Sequence, residues 1–370
     1  MKIGIVIEPY EEYGASGMSF FLTQLVSHLL LIDNVNTYVL FCSTEITSNI
    51  IPGKFTQVYI PKGALRKMWW FFNKKLEVDV LMFVSPLLAL YPAREVKTIL
   101  FCQELPNQRV TPELFLERVK EGIRDKVFMQ LTVARASVIT SPSRATEKDI
   151  LKGYRKAEGK TKVIPHGFKD FSSIISASDL PNKVRVPFFL FTGRVKPRKN
   201  VQGIVSAFID YRLRVETTTQ LVISGWCGRS HYNEMMLKLE QYNLQNEVHF
   251  IGFVTDQELH LLYKKCTAFL FLSLSEGFGM PILEAMSLSA PVVTSSISSM
   301  PEVASDAALC VDPYSINDMS EAFERIENDK VLRVRLMQKG RARAKEYSWE
   351  KCAQDFLNVI ATVKVKNSVI

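Results

Sequence analysis

Two glutamates stand eight positions apart in the stretch SEGFGMPILEAM, residues 275–286. Glu276 precedes two glycines and a proline, which is typical of a loop, whereas Pro281 is typical of the first turn of a helix. Glu284 then lies one turn into that helix. Glu276 can accept hydrogen bonds from sugar hydroxyls, and Glu284 can hold a vicinal diol such as that of a ribose. A glycosidase pair stays open, although loop-and-helix placement does not obviously give the spacing of roughly 5–10 Å that such carboxylates need.

The three residues after Glu276 have a backbone that a ligand can reach. Gly277 and Gly279 carry no side chain that would obstruct a close approach. The N–H groups of this segment, including that of Phe278, have the start of a helix behind them and can bind negative charge or hydroxyl oxygens. The structural alternative is a helix start whose neighbouring acids are incidental.

A cluster of positive charge follows an apolar run in TGRVKPRKN, residues 192–200. Gly193 allows a close backbone approach, Arg194 offers a planar fork of donors, and Lys199 offers a point charge. Two further cations bring the total to four in six consecutive positions, which suits a diphosphate. A solvated, charged turn is the alternative interpretation.

Weaker signals lie in the first half of the chain. EPYEEYGASGMSF, residues 8–20, places Gly17 between a predicted strand and a helix, but the stretch does not complete the GxGxxG phosphate motif. FCQELPN places Gln103 and Glu104 at the end of a strand, where they could face a ligand cleft. His166, in IPHGF, follows another strand. For each of these residues the alternative is an ordinary position in a loop or at a strand end.

The composition is that of a globular protein with an anionic partner. The chain has 370 residues, 47% hydrophobic and 23% charged, which is enough for two domains. A net charge of +8 favours phosphates, nucleic acid or an acidic membrane surface, and the sequence has no zinc-finger, RNP or basic-zipper pattern for nucleic acid. Six scattered cysteines predict reduced thiols in the cytoplasm. Since DxD, HExxH and CxxC motifs are all missing, we expect neither a metal ion nor another cofactor.

Short apolar strands alternate with amphipathic helices along the whole chain. The predicted strands are KIGIVIE, TYVLFC, TQVYIP, VDVLMFV, KTILFCQ and SVITSP, then FFLFTGR, QLVISGW, EVHFIGF, AFLFLSL, PVVTSS and ALCVDP. This alternation favours parallel sheets covered by helices on both faces. A polar break with three prolines at 165–187 predicts a connection between two doubly wound domains. Ligands bind at the carboxyl ends of such sheets, so we expect a site in a cleft between the domains.

Two segments raise the question of a membrane. Tyr13 to Ile32 contains no charged side chain, but its apolar residues recur at helical spacing, which favours an amphipathic helix packed on a sheet. Residues 63–75, GALRKMWWFFNKK, combine cations with four large aromatics and could lie on an anionic membrane surface. The favoured interpretation of this second segment is a helix that packs its aromatics inward while its lysines reach solvent.

These motifs resemble those of the retaining GT-B glycosyltransferases of family four, the EX7E group, which includes many bacterial mannosyltransferases. The resemblance covers most of the chain and is strongest from 188 to 312, through FFLFTGRVKPRKN, LVISG, VHFIGFV and SLSEGFGMPILEAMSLSAPVVTSSISSMPEVASDAALCVDP; YSWEKCA matches near the end. It implies two Rossmann-like domains that face a central cleft. We place them at 1–170 on the acceptor side and 171–348 on the nucleotide-sugar donor side. A final helix at 349–370 then crosses back to the first domain.

The resemblance also implies roles for individual residues. Arg194 and Lys199 would neutralise the donor diphosphate and, with Glu276, form the catalytic set. Phe253 and Val254 would contact the base, and Glu284 would hold the ribose. The complete set of implied donor contacts is Gly17, Gly193, Phe253, Val254, Gly277, Phe278, Gly279 and Glu284. On the acceptor side we place Gln103, Glu104 and His166.

The expected activity is the transfer of a hexose, with mannose from GDP-mannose as the favoured donor. The acceptor would be a hydroxyl of a saccharide or lipid-linked glycan in polysaccharide biosynthesis. The resemblance implies retention of configuration, no metal ion, and a donor phosphate oxygen that takes the acceptor's proton. Gln103 replaces a common histidine, which leaves open an inactive nucleotide-binding subunit. A UDP-sugar-dependent transferase, an epimerase and a phosphorylase also stay open. We expect a cytoplasmic protein with peripheral contact at the inner face of the membrane.

Overall fold

A computed structural model describes residues 1–8, 17–46, 51–84, 96–103, 127–171, 173–181 and 183–363. Its strands are β1 Lys2–Val6, β2 Thr37–Cys42, β3 Thr56–Tyr59, β4 Val80–Phe83, β5 Lys97–Phe101, β6 Val138–Ser141, β7 Thr161–Val163, β8 Phe188–Thr192, β9 Gln220–Ser224, β10 Val248–Gly252, β11 Ala268–Phe271, β12 Val292–Ser295 and β13 Leu309–Val311. All twelve predicted strands are confirmed within a few residues, and β7 was not predicted.

The helices alternate with these strands. They are α1 Gly17–Ile32, α2 Ala64–Asn73, α3 Arg144–Gly153, α4 Val201–Arg214, α5 Arg229–Glu240, α6 Asp256–Lys265, α7 Met280–Ser287, α8 Met300–Ala304, α9 Ile316–Asn328, α10 Lys330–Ala344 and α11 Trp349–Thr362. A further helical segment covers 127–135.

Two parallel sheets organise the chain. The described strands form a sheet in the order β3-β2-β1-β4-β5-β6-β7 and a second sheet in the order β10-β9-β8-β11-β12-β13. Strand order reverses direction on either side of β1 and of β8, as in doubly wound folds. The central strands are buried on both faces: Phe188, Phe189, Leu190 and Phe191 of β8 have no exposed surface. The predicted fold class, two doubly wound Rossmann-like domains, is therefore confirmed.

The chain divides into two compact units. The first contains residues 1–167 and 348–370, and the second contains 168–347. Helix α11 belongs to the first unit, where Phe356 lies 5.2 Å from Phe101 and 6.4 Å from Phe21 of α1 between ring centroids. The segment after residue 168 is built into the second unit, because Phe171 is fully buried in that unit's core.

The two membrane candidates have different outcomes. Helix α1 is amphipathic, as predicted, and buries Phe21, Leu25 and Leu29 among other residues. Among the described residues, no helix has the length and apolar character needed to cross a bilayer. Helix α2 differs from the favoured interpretation, because Phe71 is buried whereas Trp69 is 70% exposed. Neighbouring positions on a helix point in different directions, so consecutive aromatics cannot all reach the core.

Candidate functional site

The site in the second unit begins where β8 and β9 end side by side. The N–H of Gly193 donates to the Ser224 carbonyl at 2.9 Å, and the N–H of Val195 donates to the Trp226 carbonyl at 2.8 Å. Gly225 has a φ of +112°, and a Cβ there would lie 2.3 Å from the Gly193 carbonyl oxygen. Only a glycine permits this close approach. These two hydrogen bonds and the close approach of Gly225 therefore hold the cationic turn that follows β8 at the carboxyl edge of the sheet.

A short 3₁₀ turn then directs two cations to Glu276. The turn covers Pro197–Lys199 and begins with the proline. Lys199 Nζ lies 2.6 Å from Glu276 Oε1, and Arg198 Nη1 lies 2.7 Å from Oε2. Lys199 also lies over the Phe271 ring, 4.6 Å from its centroid. These contacts confine the ammonium group of Lys199, whose side chain is only 14% exposed.

The charge of Glu276 is stabilised by these neighbours. Its side chain is 9% exposed. Burial alone would raise the pKa of Glu276, but the charges of Lys199 and Arg198 outweigh it and hold that pKa below its usual value. The result is an ionised carboxylate shared by two cations, a polar group that is costly to bury without such partners.

Two serines from the next strand end fix the backbone of the Glu276 loop. The hydroxyls of Ser298 and Ser299 each donate to the Glu276 carbonyl at 2.9 Å, and Ser299 also donates to the Phe278 carbonyl at 2.7 Å. The Glu276 N–H donates back to the Ser298 hydroxyl at 3.1 Å. The loop is therefore held by side chains rather than by a sheet ladder.

Helix α7 begins directly after this loop, as predicted. Gly279 stands at its N-cap with a φ of +112°, a conformation that disfavours other residues, and Pro281 lies in the first turn. Glu284 lies one turn later. It accepts a hydrogen bond of 3.2 Å from the Tyr263 hydroxyl. Burial raises the pKa of Glu284 to about 7, although that bond and the charge of Lys169 act in the opposite direction.

Arg194 has a different environment from the two cations that follow it. It is exposed, and its guanidinium carbon lies 4.6 Å from the centroid of the Trp226 ring. Trp226 is itself 46% exposed. The stacking orients Arg194 at the end of β9, but the structure brings Arg198 rather than Arg194 to Glu276. The predicted role of Arg194 at a diphosphate stays a prediction.

The remaining donor-side residues divide between surface and core. Phe253 follows β10 and is 82% exposed, a large aromatic face available to a planar ligand. Val254 is half-buried and packs against the core. The Phe278 side chain is buried and lies 5.7 Å from the Tyr347 ring, so this residue offers a ligand only its backbone.

In the first unit, His166 belongs to an aromatic cluster. Its ring stacks 4.4 Å from Phe21 and 5.9 Å from Trp349, and only 5% of the residue is exposed. Burial lowers the pKa of His166 to about 3, so the ring is neutral. At Gly167 a Cβ would lie 2.4 Å from the Trp349 backbone nitrogen. The IPHGF motif therefore has a clear packing role here, and its acceptor-side role stays a prediction.

For the other residues predicted in the first unit, the structure gives only their positions relative to the helices and strands. Gly17 is the first residue of α1, and Gln103 follows β5 by two positions. Glu104 lies outside the described residues. Within the described part of the chain, no group of three or more histidine, cysteine, aspartate or glutamate side chains could hold a metal ion.

Sequence reasoning gave a minor place to several residues that build this site. The sequence identifies Arg198 only as one of four clustered cations. It presents Ser298 and Ser299 only within a tract that resembles the family. The pattern around Gly225 and Trp226 predicts only the end of a strand. The repeated pattern of a strand followed by glycine, in LFTG, VISG and FIGF, was the signal that could have identified this edge.

The chain is similar to known proteins both in sequence and in fold. Residues 175–343 match the family model of glycosyl transferases group 1. This match lies within the second unit.

Two curated relatives carry names from O-antigen synthesis. O-antigen chain mannosyltransferase B of Escherichia coli is 34% identical over 172 residues, which are 46% of this chain and 45% of the relative. This chain thus spans less than half the length of that relative. O-antigen chain mannosyltransferase RfbU of Salmonella typhimurium is 25% identical over 264 residues, 70% of each chain.

Solved structures share the fold over nearly the whole chain. Sucrose-phosphate synthase from Thermosynechococcus elongatus aligns with a TM-score of 0.76 at 16% identity, over 98% of both chains. At this identity the likeness concerns the fold alone, and it confirms the expected GT-B class.

Proposed function

We propose that this protein is a glycosyltransferase whose donor is a nucleotide sugar bound by the second unit. One observation carries the proposal: Lys199 and Arg198 converge on the buried Glu276 at the carboxyl edge of a parallel sheet. The segment that does so matches the group 1 glycosyl transferases. Sheets of this kind bind ligands at that edge.

The donor residues have complementary chemistry for a sugar nucleotide. Lys199, Arg198 and Arg194 supply positive charge for a diphosphate that departs as the glycosidic bond breaks. Preorganised charge of this kind is often the largest contribution to catalysis. Glu276 and the backbone N–H groups that follow it can bind sugar hydroxyls. Glu284 offers a carboxylate to a ribose diol, and Phe253 an aromatic face to a base.

We propose mannose as the transferred sugar and GDP-mannose as the donor. Two relatives named as mannosyltransferases support the sugar. Transfer would retain the anomeric configuration, with a donor phosphate oxygen that accepts the proton of the attacking hydroxyl. The fixed cations would supply the charge neutralisation for which other enzymes use a metal ion, so activity should persist in EDTA. The acceptor would be a saccharide or a lipid-linked glycan, and the enzyme would work in the cytoplasm at the membrane face.

A thermal-shift screen against GDP, UDP and their sugars tests the donor. A ligand present at 100 times its dissociation constant stabilises the folded protein by about 2.7 kcal/mol. We expect GDP and GDP-mannose to raise Tm more than UDP or UDP-glucose. Preference for the uridine ligands would select a UDP-sugar donor instead, and no shift with any nucleotide would contradict the proposal.

Product analysis then tests the reaction. Incubation of donor with a panel of saccharide acceptors should give a product whose anomeric configuration, measured by NMR coupling constants, matches that of the donor. An inverted product would refute retention. Nucleotide binding without turnover across the acceptor panel would instead identify a binding subunit.

A further inference from the structure

Helix α2 of the first unit divides its four aromatic residues between the core and the solvent. Phe71 is 2% exposed and lies 5.9 Å from the Phe41 ring, and Trp70 lies 6.2 Å from the same ring. By contrast, Trp69 is 70% exposed and Phe72 is 53% exposed. The inner pair anchors the helix to the sheet. Trp69 and Phe72 do not take part in that anchoring, so their exposed rings are available for contact with a partner.

The exposed aromatics share one side of the helix with a cation. Arg66, Trp69 and Phe72 follow one another at intervals of three residues, a spacing that places neighbouring side chains together on a helix surface. Their spacing places the two large exposed aromatic residues Trp69 and Phe72 next to each other on the helix surface, unlike the single exposed apolar residues that are common on protein surfaces.

Further cations flank these two aromatic residues. Lys62 precedes the helix, and Lys74 and Lys75 follow it; all three are exposed. We call Lys62, Arg66, Trp69, Phe72, Lys74 and Lys75 the α2 patch. The sequence from 60 to 76 contains no acidic residue. Lys67 is excluded from the patch because it forms an ion pair with Glu8.

We propose that the α2 patch docks the first unit onto an anionic lipid surface. Tryptophan and phenylalanine enter the boundary between headgroups and acyl chains, while lysine and arginine extend to the phosphates. Each cation near an anionic bilayer strengthens binding roughly five-fold. The anchor is peripheral, and no described helix is able to span the membrane.

The charge of the patch argues against a second copy of the chain as the occupant. A two-fold interface centred on the patch would bring it against itself. The four cations of one copy would then face the same four of the other at close range. An anionic bilayer presents the opposite charge and an apolar layer below it, which matches both components of the patch.

Flotation of the full chain with lipid vesicles tests the proposal. One set of vesicles contains phosphatidylcholine alone, and the other contains phosphatidylcholine mixed with phosphatidylglycerol. We expect the protein to float with the mixed vesicles and to bind the neutral ones at least about ten-fold more weakly, since the cations supply most of the attraction.

Two variants separate the components of the patch. The double variant Trp69→Ala/Phe72→Ala should lose about ten-fold or more in binding to mixed vesicles. Lys74→Ser/Lys75→Ser should weaken binding to the mixed vesicles about 25-fold, since each cation contributes roughly five-fold, and should leave binding to neutral vesicles nearly unchanged. Matched controls come from the second unit: Leu237→Ala removes another exposed apolar side chain, and Arg335→Ser/Arg341→Ser removes the same charge from exposed positions of α10. Both controls should bind within about two-fold of the parent chain.

Three results would overturn the proposal: no flotation with mixed vesicles, equal losses in the lysine variant and its arginine control, or a dimer in solution that Trp69→Ala/Phe72→Ala converts to monomer. The last would identify a second copy as the occupant. Nucleotide-induced thermal shifts, measured on the same variants, report on donor binding and involve no lipid. A failure of membrane docking is therefore distinguishable from a failure of the donor proposal.

Discussion

The two glutamates of the 275–286 stretch are eight positions apart, yet their electrostatic environments are opposite. Glu276 lies between Lys199 and Arg198, which hold its pKa below the usual value despite burial. Glu284 accepts hydrogen bonds from the Tyr263 hydroxyl and the Lys169 backbone, but burial outweighs them and the charge of Lys169 and raises its pKa to about 7. The comparison shows that burial acts on both carboxylates and that the charge of the partners decides the outcome.

Linkage gives the two groups opposite effects on stability. Because the folded-state pKa of Glu276 is lowered, its contribution is present above the unfolded pKa near 4.5 and is lost as pH falls through the folded pKa. The folded-state pKa of Glu284 is raised, so its ionisation costs stability as pH rises from about 4.5 to about 7. We interpret Glu276 as preorganised by its two cations and Glu284 as a group whose ionised form a bound diol would stabilise.

The largest expected effect follows from removal of Lys199, one of the two cations that pair with Glu276. Lys199→Ala should lower kcat/KM for transfer about 10²–10³-fold, the usual cost of losing one preorganised group at a transition state. The loss in unfolding free energy should be smaller than the loss in transition-state stabilisation, because Arg198 still pairs with Glu276. Steady-state kinetics and thermal unfolding measure the two effects. Lys196→Ala, which removes an exposed cation from the same turn, is the control. Unchanged turnover in Lys199→Ala would refute the diphosphate assignment.

Glu284→Gln should raise stability, in the opposite sense from most substitutions at partly buried positions. At pH 8 the variant avoids the cost of ionising a partly buried carboxylate and should gain on the order of 1–3 kcal/mol in unfolding free energy, whereas at pH 4 the gain should vanish. Nucleotide affinity should fall about ten-fold, because an amide binds diol hydroxyls less strongly than a carboxylate. Urea unfolding at both pH values and titration calorimetry provide the measurements.

The control for this substitution is Glu240→Gln, which changes an exposed carboxylate of α5. It should leave both quantities within experimental error. A loss of stability in Glu284→Gln at pH 8, measured without nucleotide, would show that the ionised carboxylate is favourable by itself. An unchanged nucleotide affinity would remove Glu284 from the ribose site.

A smaller effect should follow from loosening the loop that carries Glu276. Ser299 is fully buried and donates to the Glu276 and Phe278 carbonyls. Ser299→Ala should cost about 1–3 kcal/mol in unfolding free energy, because the Phe278 carbonyl loses a buried donor. We also expect a several-fold weaker nucleotide affinity. Ser296→Ala, at an exposed position, is the control. Full stability of Ser299→Ala would show that Ser298 alone fixes the loop.

Sequence patterns were sufficient for the fold but not for the pairing of charges. Long apolar runs such as FFLFT are stable only as central strands that are buried on both faces of a parallel sheet. The positions of these strands could therefore be predicted closely. β7, with the sequence TKV, is short and polar and carries too weak a pattern. The pairing of Arg198 with Glu276 depends on the 3₁₀ turn after Lys196, which periodicity does not encode. The burial of His166 depends on Trp349, a residue near the far end of the chain.

The smallest expected effect concerns the cation that remains away from Glu276. Arg194 stacks on Trp226 at an exposed place, where a cation–π contact is worth roughly 0.5–1 kcal/mol. If this contact orients Arg194 towards the donor, Trp226→Leu should raise KM for the donor about two- to five-fold. Trp226→Phe, which keeps an aromatic face, should restore most of the affinity. The effect should be absent when Arg194 is already replaced, because the indole acts through the guanidinium.

A double-variant cycle with Arg194→Ala and Trp226→Leu measures that dependence. A coupling energy close to the effect of Trp226→Leu alone would show that Trp226 acts through Arg194. The comparison would then include three charged groups: Glu276 between two cations, Glu284 beside a hydroxyl, and Arg194 held by an aromatic face. Additive effects would instead show that Trp226 contacts the ligand directly, and the exposed indole would then join Phe253 as a surface for a planar group. Either result would assign a donor-binding role to the carboxyl end of β9. The sequence pattern identifies this segment only as the end of a strand.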